Sequence, residues 1–183
     1  GNPGLHPPKE YREAINYVNN EMDPHLVHGY MPNAGFESTR TAVAENLNKR
    51  FGSNFTFENI IMTVGAGSSI NVIMKTIFDP GDKQVVFAPY FVEYANWASN
   101  YHAETVVVPP NEANGFEPDP EALKKALDPK VKVVIINNPN NPTGAIYSRE
   151  TLEKIAEVLK EAEKEYGHPI YIITDEPYRE LVY

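Results

Sequence analysis

The chain has 183 residues, 42% of them hydrophobic and 22% charged, a balance typical of a globular protein with one sizeable domain. Its formal charge of −9 disfavours a nucleic-acid partner, because phosphate binding needs clustered Lys and Arg. No apolar run approaches the roughly 18 residues that a membrane helix needs, so no membrane span is predicted.

A few sequence features bear on the cellular compartment of the protein and on metal binding. The chain contains no cysteine, which excludes disulfides and suits a cytoplasmic protein. The first residues lack the charged-then-apolar pattern of a secretory signal. His25 and His28 are three residues apart, but Pro24 argues against a regular helix there and no third ligand is near. No metal site is predicted.

The first 60 residues predict two helices on either side of a loop. Apolar residues recur at helical spacing over 11–18, behind Pro8, which suits a first helical turn. The stretch 31–35 is rich in turn-forming residues and predicts a loop. A second helix is predicted after it, through Arg50.

From residue 60 onward, short apolar runs alternate with amphipathic stretches. The runs predict strands over 60–64, 84–88, 104–108, 131–137 and 169–174. The stretches predict helices around 70–77, 91–100 and 119–127, and a long helix after Ser148, a favourable cap. Continuously apolar strands separated by helices indicate an α/β fold of three layers, with helices on both faces of a mostly parallel sheet.

Ligands bind such sheets beyond the carboxyl ends of the strands, so four loops are candidates for a site. The first, Gly65–Ser69, combines small residues, a helix start and the Ser68 hydroxyl, which suits a phosphate. It lacks the nucleotide P-loop and dinucleotide patterns. A tight strand-to-helix turn is the alternative interpretation.

The second and third loops carry aromatic and amide side chains. In Pro89–Tyr94 an aromatic ring could stack on a flat ligand, although aromatic residues are more often part of the core. In Asn137–Gly144 an amide could donate to a phenolate-like oxygen, although turns around the prolines explain the same residues.

The fourth loop, Thr174–Arg179, begins with two adjacent carboxylates. A solvated strand end is the usual explanation for such a pair. Because Asp175 follows the apolar Ile172 and Ile173, desolvation is the alternative, and a desolvated Asp175 would need a cationic partner.

Together, the four loops resemble those of the fold-type-I pyridoxal-phosphate aminotransferases, the aspartate aminotransferase-like group. The resemblance is carried by NPNNPTG at 138–144, DEPY at 175–178, PYFVEY at 89–94 and the turn at 65–69. In addition, Asn2-Pro3 and the stretch from Tyr30 to Gly35 are similar to the segments at the family's substrate entrance. The fold that it implies is the large domain of a PLP-dependent transferase.

The resemblance implies pyridoxal 5'-phosphate (PLP) as cofactor and gives individual residues a role. Asp175 matches the aspartate that binds the pyridine nitrogen. Asn141 and Tyr178 match the residues that hydrogen-bond the phenolic oxygen, and Phe91 matches the aromatic ring stacked on the cofactor. The residues matching the phosphate site are Ala66 and Gly67, through their backbone, with Ser68 nearby.

The resemblance also implies how subunits assemble and which part of the active site this chain contains. Tyr30 matches a tyrosine that reaches the phosphate of the neighbouring subunit's cofactor, which implies a homodimer. Gly1 and Asn2 fall in a segment that lines the substrate entrance. The family's Schiff-base lysine follows D-x-x-Y by some distance, and the last lysine here is Lys164. A catalytic lysine beyond Tyr183 is therefore expected, and the chain is expected to be a fragment that is inactive by itself.

The implied function is transfer of an amino group between an amino acid, aspartate-like by preference, and a 2-oxo acid. Two alternatives stay open: another fold-type-I enzyme, such as a C–S β-lyase or a decarboxylase, and the PLP-sensing effector domain of a transcription regulator. The resemblance also predicts two domains: residues 1–35 belong to the small domain and entrance loop, and residues 36–183 to the PLP-binding large domain.

Overall fold

The computed structural model describes Gly4 and residues 6–181. Tertiary contacts divide the chain into two units, one ending at Thr63 and the other beginning at Val64. The predicted boundary between residues 35 and 36 concerns the small and large domains of the complete protein, and it stays a prediction.

The first unit is helical. Helix α1 spans Lys9–Glu21, α2 spans Pro24–His28 and α3 spans Glu37–Phe51, so the two predicted helices around the 31–35 loop are confirmed. Helix α2 corrects the expectation that Pro24 prevents a helix. Proline is tolerated at a first helical position because its missing N–H has no partner there, and the Asp23 side chain caps the turn.

The strand predicted over 60–64 is wrong. A 3₁₀ turn at Phe57–Asn59 precedes this segment, which pairs with no strand among the described residues. Ile61 and Val64 are exposed, and the Met62 amide donates to the carbonyl of Ala34 at 2.9 Å. Apolar composition favours a strand, but strand pairing needs a neighbouring strand, and this segment contacts a loop instead.

The second unit alternates helices and strands. Its helices are α4 Gly65–Ile77, α5 Glu93–Ser99, α6 Pro120–Ala126 and α7 Arg149–Tyr166, with a 3₁₀ turn at Glu112–Asn114. Its strands are β1 Lys83–Phe87, β2 Glu104–Val108, β3 Val131–Asn137 and β4 Tyr171–Asp175. The four predicted strands after residue 80 and all four predicted helices are confirmed, with ends that differ by a few residues.

The four strands form one parallel sheet in the order β2-β1-β3-β4. One face packs against α6 and α7, where Leu123 and Ile155 meet Val85 and Val134. The other face packs against α4 and α5, whose buried residues include Met74. Neighbouring residues of a strand point to opposite faces, so apolar runs such as Val133–Ile136 serve both cores. The predicted three-layer α/β fold is therefore confirmed.

No helix in the part of the chain that is described is long and apolar enough to cross a bilayer.

The start of α7 is fixed by a carboxylate from a preceding loop. The Ser148 hydroxyl accepts from the Thr151 amide, as expected of a cap. Glu117 accepts from the Ser148 amide at 3.0 Å, the Ser148 hydroxyl at 2.8 Å and the Thr151 hydroxyl. The Thr151 hydroxyl and then the Ser148 amide lower the pKa of Glu117 from its ordinary value of 4.5.

Replacing Glu117 by Gln keeps the shape of this contact and removes its charge. We expect the free energy of unfolding at neutral pH to fall by about 1–2 kcal/mol. Because the folded-state pKa is lowered, the carboxylate stabilises the fold fully above pH 4.5 and loses that contribution as the pH falls through the folded-state value. The difference between wild type and variant should therefore shrink in acid, which urea unfolding at neutral pH and at about pH 3 measures.

The control is Glu112→Gln, in the exposed 3₁₀ turn nearby, which should change the free energy of unfolding by no more than about 0.5 kcal/mol. A Glu117→Gln variant with wild-type stability at neutral pH would contradict the role of this carboxylate.

Candidate active site

The carboxyl ends of β3 and β4 bring the third and fourth candidate loops together. Asn137 and Asp175 are register partners at the ends of these strands. The Asn137 side chain donates to the carbonyl of Asp175 at 2.8 Å, and the Asn138 amide reaches the same carbonyl at 3.3 Å. Two segments 38 residues apart are thus tied at the edge where a ligand is expected.

Asp175 is held by a tyrosine that the sequence analysis did not assign. The Tyr94 hydroxyl donates to Asp175 Oδ2 at 2.6 Å. The described residues offer Asp175 no salt bridge, and this neutral hydroxyl contacts it instead, so a cationic partner for the carboxylate stays a prediction. Asp175 Oδ1 accepts no hydrogen bond from the described residues, so one oxygen of the carboxylate is left for a ligand.

Tyr94 is buried, with 1% of its surface exposed. Burial in the core, followed by the hydrogen bond to Asp175, raises the pKa of Tyr94 above its ordinary value of 10. Tyr94 therefore keeps its proton across the physiological range and remains a donor. Its position at the end of PYFVEY is the one sequence signal that could have pointed to it.

Phe91 lies in an aromatic cluster beside Asp175. Its ring meets Tyr94 edge-to-face at 5.6 Å between centroids and Trp97 at 6.0 Å. Trp97 in turn lies against Gly67 at the start of α4, where a β-carbon would come within 3.1 Å of the indole. A side chain at this position would displace the indole by a few tenths of an ångström, so the start of α4 packs closely against α5.

At the N-terminus of α4 the first amides of the helix lack helical partners, as in any helix, and carry a partial positive charge. Ala66 and Gly67 lie in this first turn. The Ser68 hydroxyl donates back to the carbonyl of Val64 at 2.9 Å. Their contacts with a phosphate stay predictions.

Asn141 and Tyr178 line one surface cavity of about 390 Å³, together with Pro139, Pro142 and Leu181 among others. The backbone N–H of Asn141 donates to the side-chain oxygen of Asn137 at 2.6 Å. This hydrogen bond fixes the backbone from which the Asn141 side chain projects. Neither the Asn141 side chain nor the Tyr178 hydroxyl bonds to any described residue. Both are available to a ligand.

A larger cavity of about 430 Å³ lies nearby, lined by Ile136, Ile155, Glu176, Arg179 and other residues. None of the predicted site residues lines it. Glu176 is paired there with Arg179 at 2.9 Å.

Asn140 is a structural residue of the site that the sequence analysis missed. Its side chain donates to the Tyr147 hydroxyl at 3.1 Å and to the Pro89 carbonyl at 3.4 Å. It also accepts from the amide and hydroxyl of Thr143. Asn140 is 6% exposed and links the second and third loops. The asparagine-rich pattern showed that amides matter here, but not that Asn137 and Asn140 are the buried ones.

Three predicted site residues cannot be related to this edge. Tyr30 belongs to the first unit, where its side chain is fully exposed. Gly1 and Asn2 lie outside the described residues. The catalytic lysine expected beyond Tyr183 stays a prediction.

Gly67, Phe91, Asn141, Asp175 and Tyr178 thus belong to one contiguous group of contacts and cavity-lining residues at a single edge of the sheet. This edge offers a carboxylate, polar side chains, an aromatic ring and a helix N-terminus, a set suited to a flat, anionic, nitrogen-containing ligand. The roles of the individual residues toward that ligand stay predictions.

Comparison with known proteins agrees with this architecture. A family model described as aminotransferase class I and II matches residues 1–183. The aspartate/prephenate aminotransferase of Thermus thermophilus is 34% identical over 100% of this chain and 45% of its own length. The aspartate aminotransferase of Pyrococcus horikoshii is 34% identical over 100% of this chain and 44% of its own length.

Solved structures give the same result. A crystal structure of an amino transferase from Eubacterium rectale superposes with a TM-score of 0.96 at 38% identity, over 100% of this chain and 46% of that one. An aspartate aminotransferase from Thermus thermophilus with maleate superposes with a TM-score of 0.86 at 34% identity, over 100% of this chain and 45% of that one.

The chain therefore belongs to the class I and II aminotransferases, and the resemblance noted from its loops is confirmed. It spans slightly less than half the length of these relatives.

The role of Asn140 can be tested through stability. We expect Asn140→Ala to lower the free energy of unfolding by about 2–3 kcal/mol, because the buried Tyr147 hydroxyl and partly buried groups of two loops lose their partner at once. The matched control is Asn114→Ala, in an exposed turn, which should have little effect. Equal stability of the two variants in urea unfolding would show that Asn140 does not hold the loops together.

Proposed function

We propose that the protein to which these 183 residues belong is a PLP-dependent aminotransferase that moves an amino group between an amino acid and a 2-oxo acid. The observation that carries this proposal is Asp175, a carboxylate at the carboxyl end of β4 with one oxygen held by Tyr94 and the other without a partner among the described residues. Membership of the aminotransferase family supports it.

The chemistry of the residues at this edge fits PLP. A cofactor with a pyridine nitrogen, a phenolic oxygen and a phosphate needs an anion, neutral donors and a positive dipole, respectively. Asp175 supplies the anion, Asn141 and Tyr178 supply the donors, and the N-terminus of α4 supplies the dipole.

When bound, PLP supplies an electron sink for the charge that develops on the α-carbon of the amino acid. Asp175 would hold a proton at the ring nitrogen, where the positive charge strengthens that sink. Asn141 and Tyr178 would orient the ring through its phenolic oxygen, and Phe91 would exclude water from one of its faces.

An aspartate-like amino acid is the proposed substrate, and relatives named for aspartate support this choice. Other relatives act on other amino acids by name, such as the aromatic-amino-acid aminotransferase 2 of Thermococcus litoralis. The lyase, decarboxylase and effector-domain alternatives are not favoured, because the relatives named here are aminotransferases. Rates with a panel of amino acids and 2-oxo acids would test the substrate.

We also propose that the protein works as a homodimer in the cytoplasm, with Tyr30 reaching the phosphate site of the neighbouring subunit. The full exposure of this aromatic side chain within its own unit supports the proposal.

The role of Asp175 is tested with Asp175→Asn in the full-length protein. PLP should still bind, with a dissociation constant raised about 10–100-fold because a charged hydrogen bond is lost. At saturating PLP, the rate of the half-reaction with an amino acid should fall by about 10²–10³-fold, because the amide does not hold the proton at the ring nitrogen.

The matched control is Glu176→Gln at the adjacent carboxylate, which pairs with Arg179 and faces the other cavity. It should retain near-normal rates. A near-normal half-reaction rate in Asp175→Asn would remove Asp175 from its proposed role.

The role of Tyr30 across subunits is tested with hybrid dimers. If Tyr30 acts in the neighbouring subunit, a dimer of one Tyr30→Phe chain and one Asp175→Asn chain contains one intact site, whereas each parent homodimer contains none. The hybrid should regain about half of the wild-type activity. Failure to recover activity on mixing, with hybrid formation confirmed by mass, would contradict a shared site.

A further inference from the structure

A buried line of polar contacts runs through the second unit behind Asp175. Gln84 lies in the middle of the sheet with 0% of its surface exposed. Its side-chain nitrogen donates to the Tyr94 carbonyl at 2.8 Å and to the Thr105 hydroxyl at 2.9 Å. Its side-chain oxygen is buried and has no partner among the described residues. Burying a side-chain amide in a strand costs stability unless it is hydrogen-bonded. The hydrogen bond to the Tyr94 carbonyl offsets part of that cost.

The ring of Tyr94 is fixed on two sides. Phe91 meets it edge-to-face at 5.6 Å and Trp97 meets it at 6.0 Å. Gln84 holds the backbone of Tyr94 and two aromatic neighbours hold its ring, so the position of its hydroxyl oxygen is set. From this position the hydroxyl donates to Asp175 Oδ2 at 2.6 Å.

We propose that Tyr94 is a positioning residue that acts through Asp175: its hydroxyl fixes the rotation of the carboxylate so that Oδ1 faces the cofactor. This inference rests on the proposed function, since it concerns how Asp175 meets the pyridine nitrogen. A short carboxylate side chain has one torsion that turns its two oxygens, and a charge-assisted hydrogen bond to Oδ2 sets it.

Tyr94 is suited to this task because it stays neutral. Its hydroxyl contacts Asp175, and the Tyr178 and Tyr147 side chains also interact with it electrostatically. Burial and the neighbouring carboxylate both oppose ionisation of Tyr94, so its pKa is raised and the donor persists over the working pH range.

The test uses PLP binding to the full-length apoprotein, measured by absorbance or fluorescence titration, in a double-mutant cycle. Tyr94→Phe keeps the ring and its packing and removes only the hydroxyl. It should raise the dissociation constant of PLP about fivefold in the wild-type background. In the Asp175→Ala background the same substitution should change the constant by less than about twofold, because no side-chain oxygen remains at position 175 for Tyr94 to orient.

Two further variants separate positioning from packing. Tyr101→Phe removes a hydroxyl from the end of the same region, where it contacts Asn71 at 3.4 Å, and should leave PLP binding unchanged. Placing 4-aminophenylalanine at position 94 restores a donor and should return the dissociation constant to within about twofold of wild type. This variant also keeps the inference testable if Tyr94→Phe folds poorly.

The outcomes are distinct. Equal effects of Tyr94→Phe in both backgrounds, or no rescue by the amino group, would overturn the positioning role and leave the proposed function standing. Absence of PLP binding in the wild-type protein would overturn the proposed function, and with it this inference. Coupling with rescue would establish Tyr94 as the residue that orients Asp175.

Discussion

The parallel register between β3 and β4 is the constraint on which the site depends. It aligns Asn137 with Asp175, so the loops that follow the two strands leave the sheet side by side. The bond from the Asn137 side chain to the Asp175 carbonyl reinforces this last ladder pair. Because all four strands run in the same direction, the loop after β1 reaches the same edge and brings Phe91 and Tyr94 to Asp175.

The polar groups behind this edge are arranged so that almost every buried one has a partner. Asn140 satisfies groups from two loops, and Tyr94 satisfies the inner oxygen of Asp175. An unpaired polar group in the core would cost more than a typical hydrogen bond contributes, so these networks allow few alternative loop conformations. The exception among the described residues is the side-chain oxygen of Gln84, which is buried in the strand that supports Tyr94. The site thus gains rigidity from groups that stabilise the fold only modestly.

The two carboxylates that end β4 illustrate how position in the sheet separates similar residues. Asp175 lies on the side of α5 and accepts from Tyr94, whereas Glu176 lines the other cavity and pairs with Arg179. The sequence alone could not distinguish a solvated pair of carboxylates from a functional one, because the two interpretations fit the same two adjacent acidic residues. The alternation of neighbouring residues between opposite faces of a sheet makes the distinction once the strand is placed.

The sequence by itself determined the alternation of helices and strands after residue 64, the three-layer class and the loops that carry the site, because hydrophobic periodicity and turn residues are local signals. Its motifs also identified the family. Tertiary structure decided what depends on contacts between distant residues. Among the described residues, it left 60–64 without a strand partner, placed the Tyr94 hydroxyl against Asp175, and buried two amides of the third loop, those of Asn137 and Asn140. Contacting residues that lie up to 81 positions apart produce no periodic pattern in the sequence. They come together only in the folded sheet.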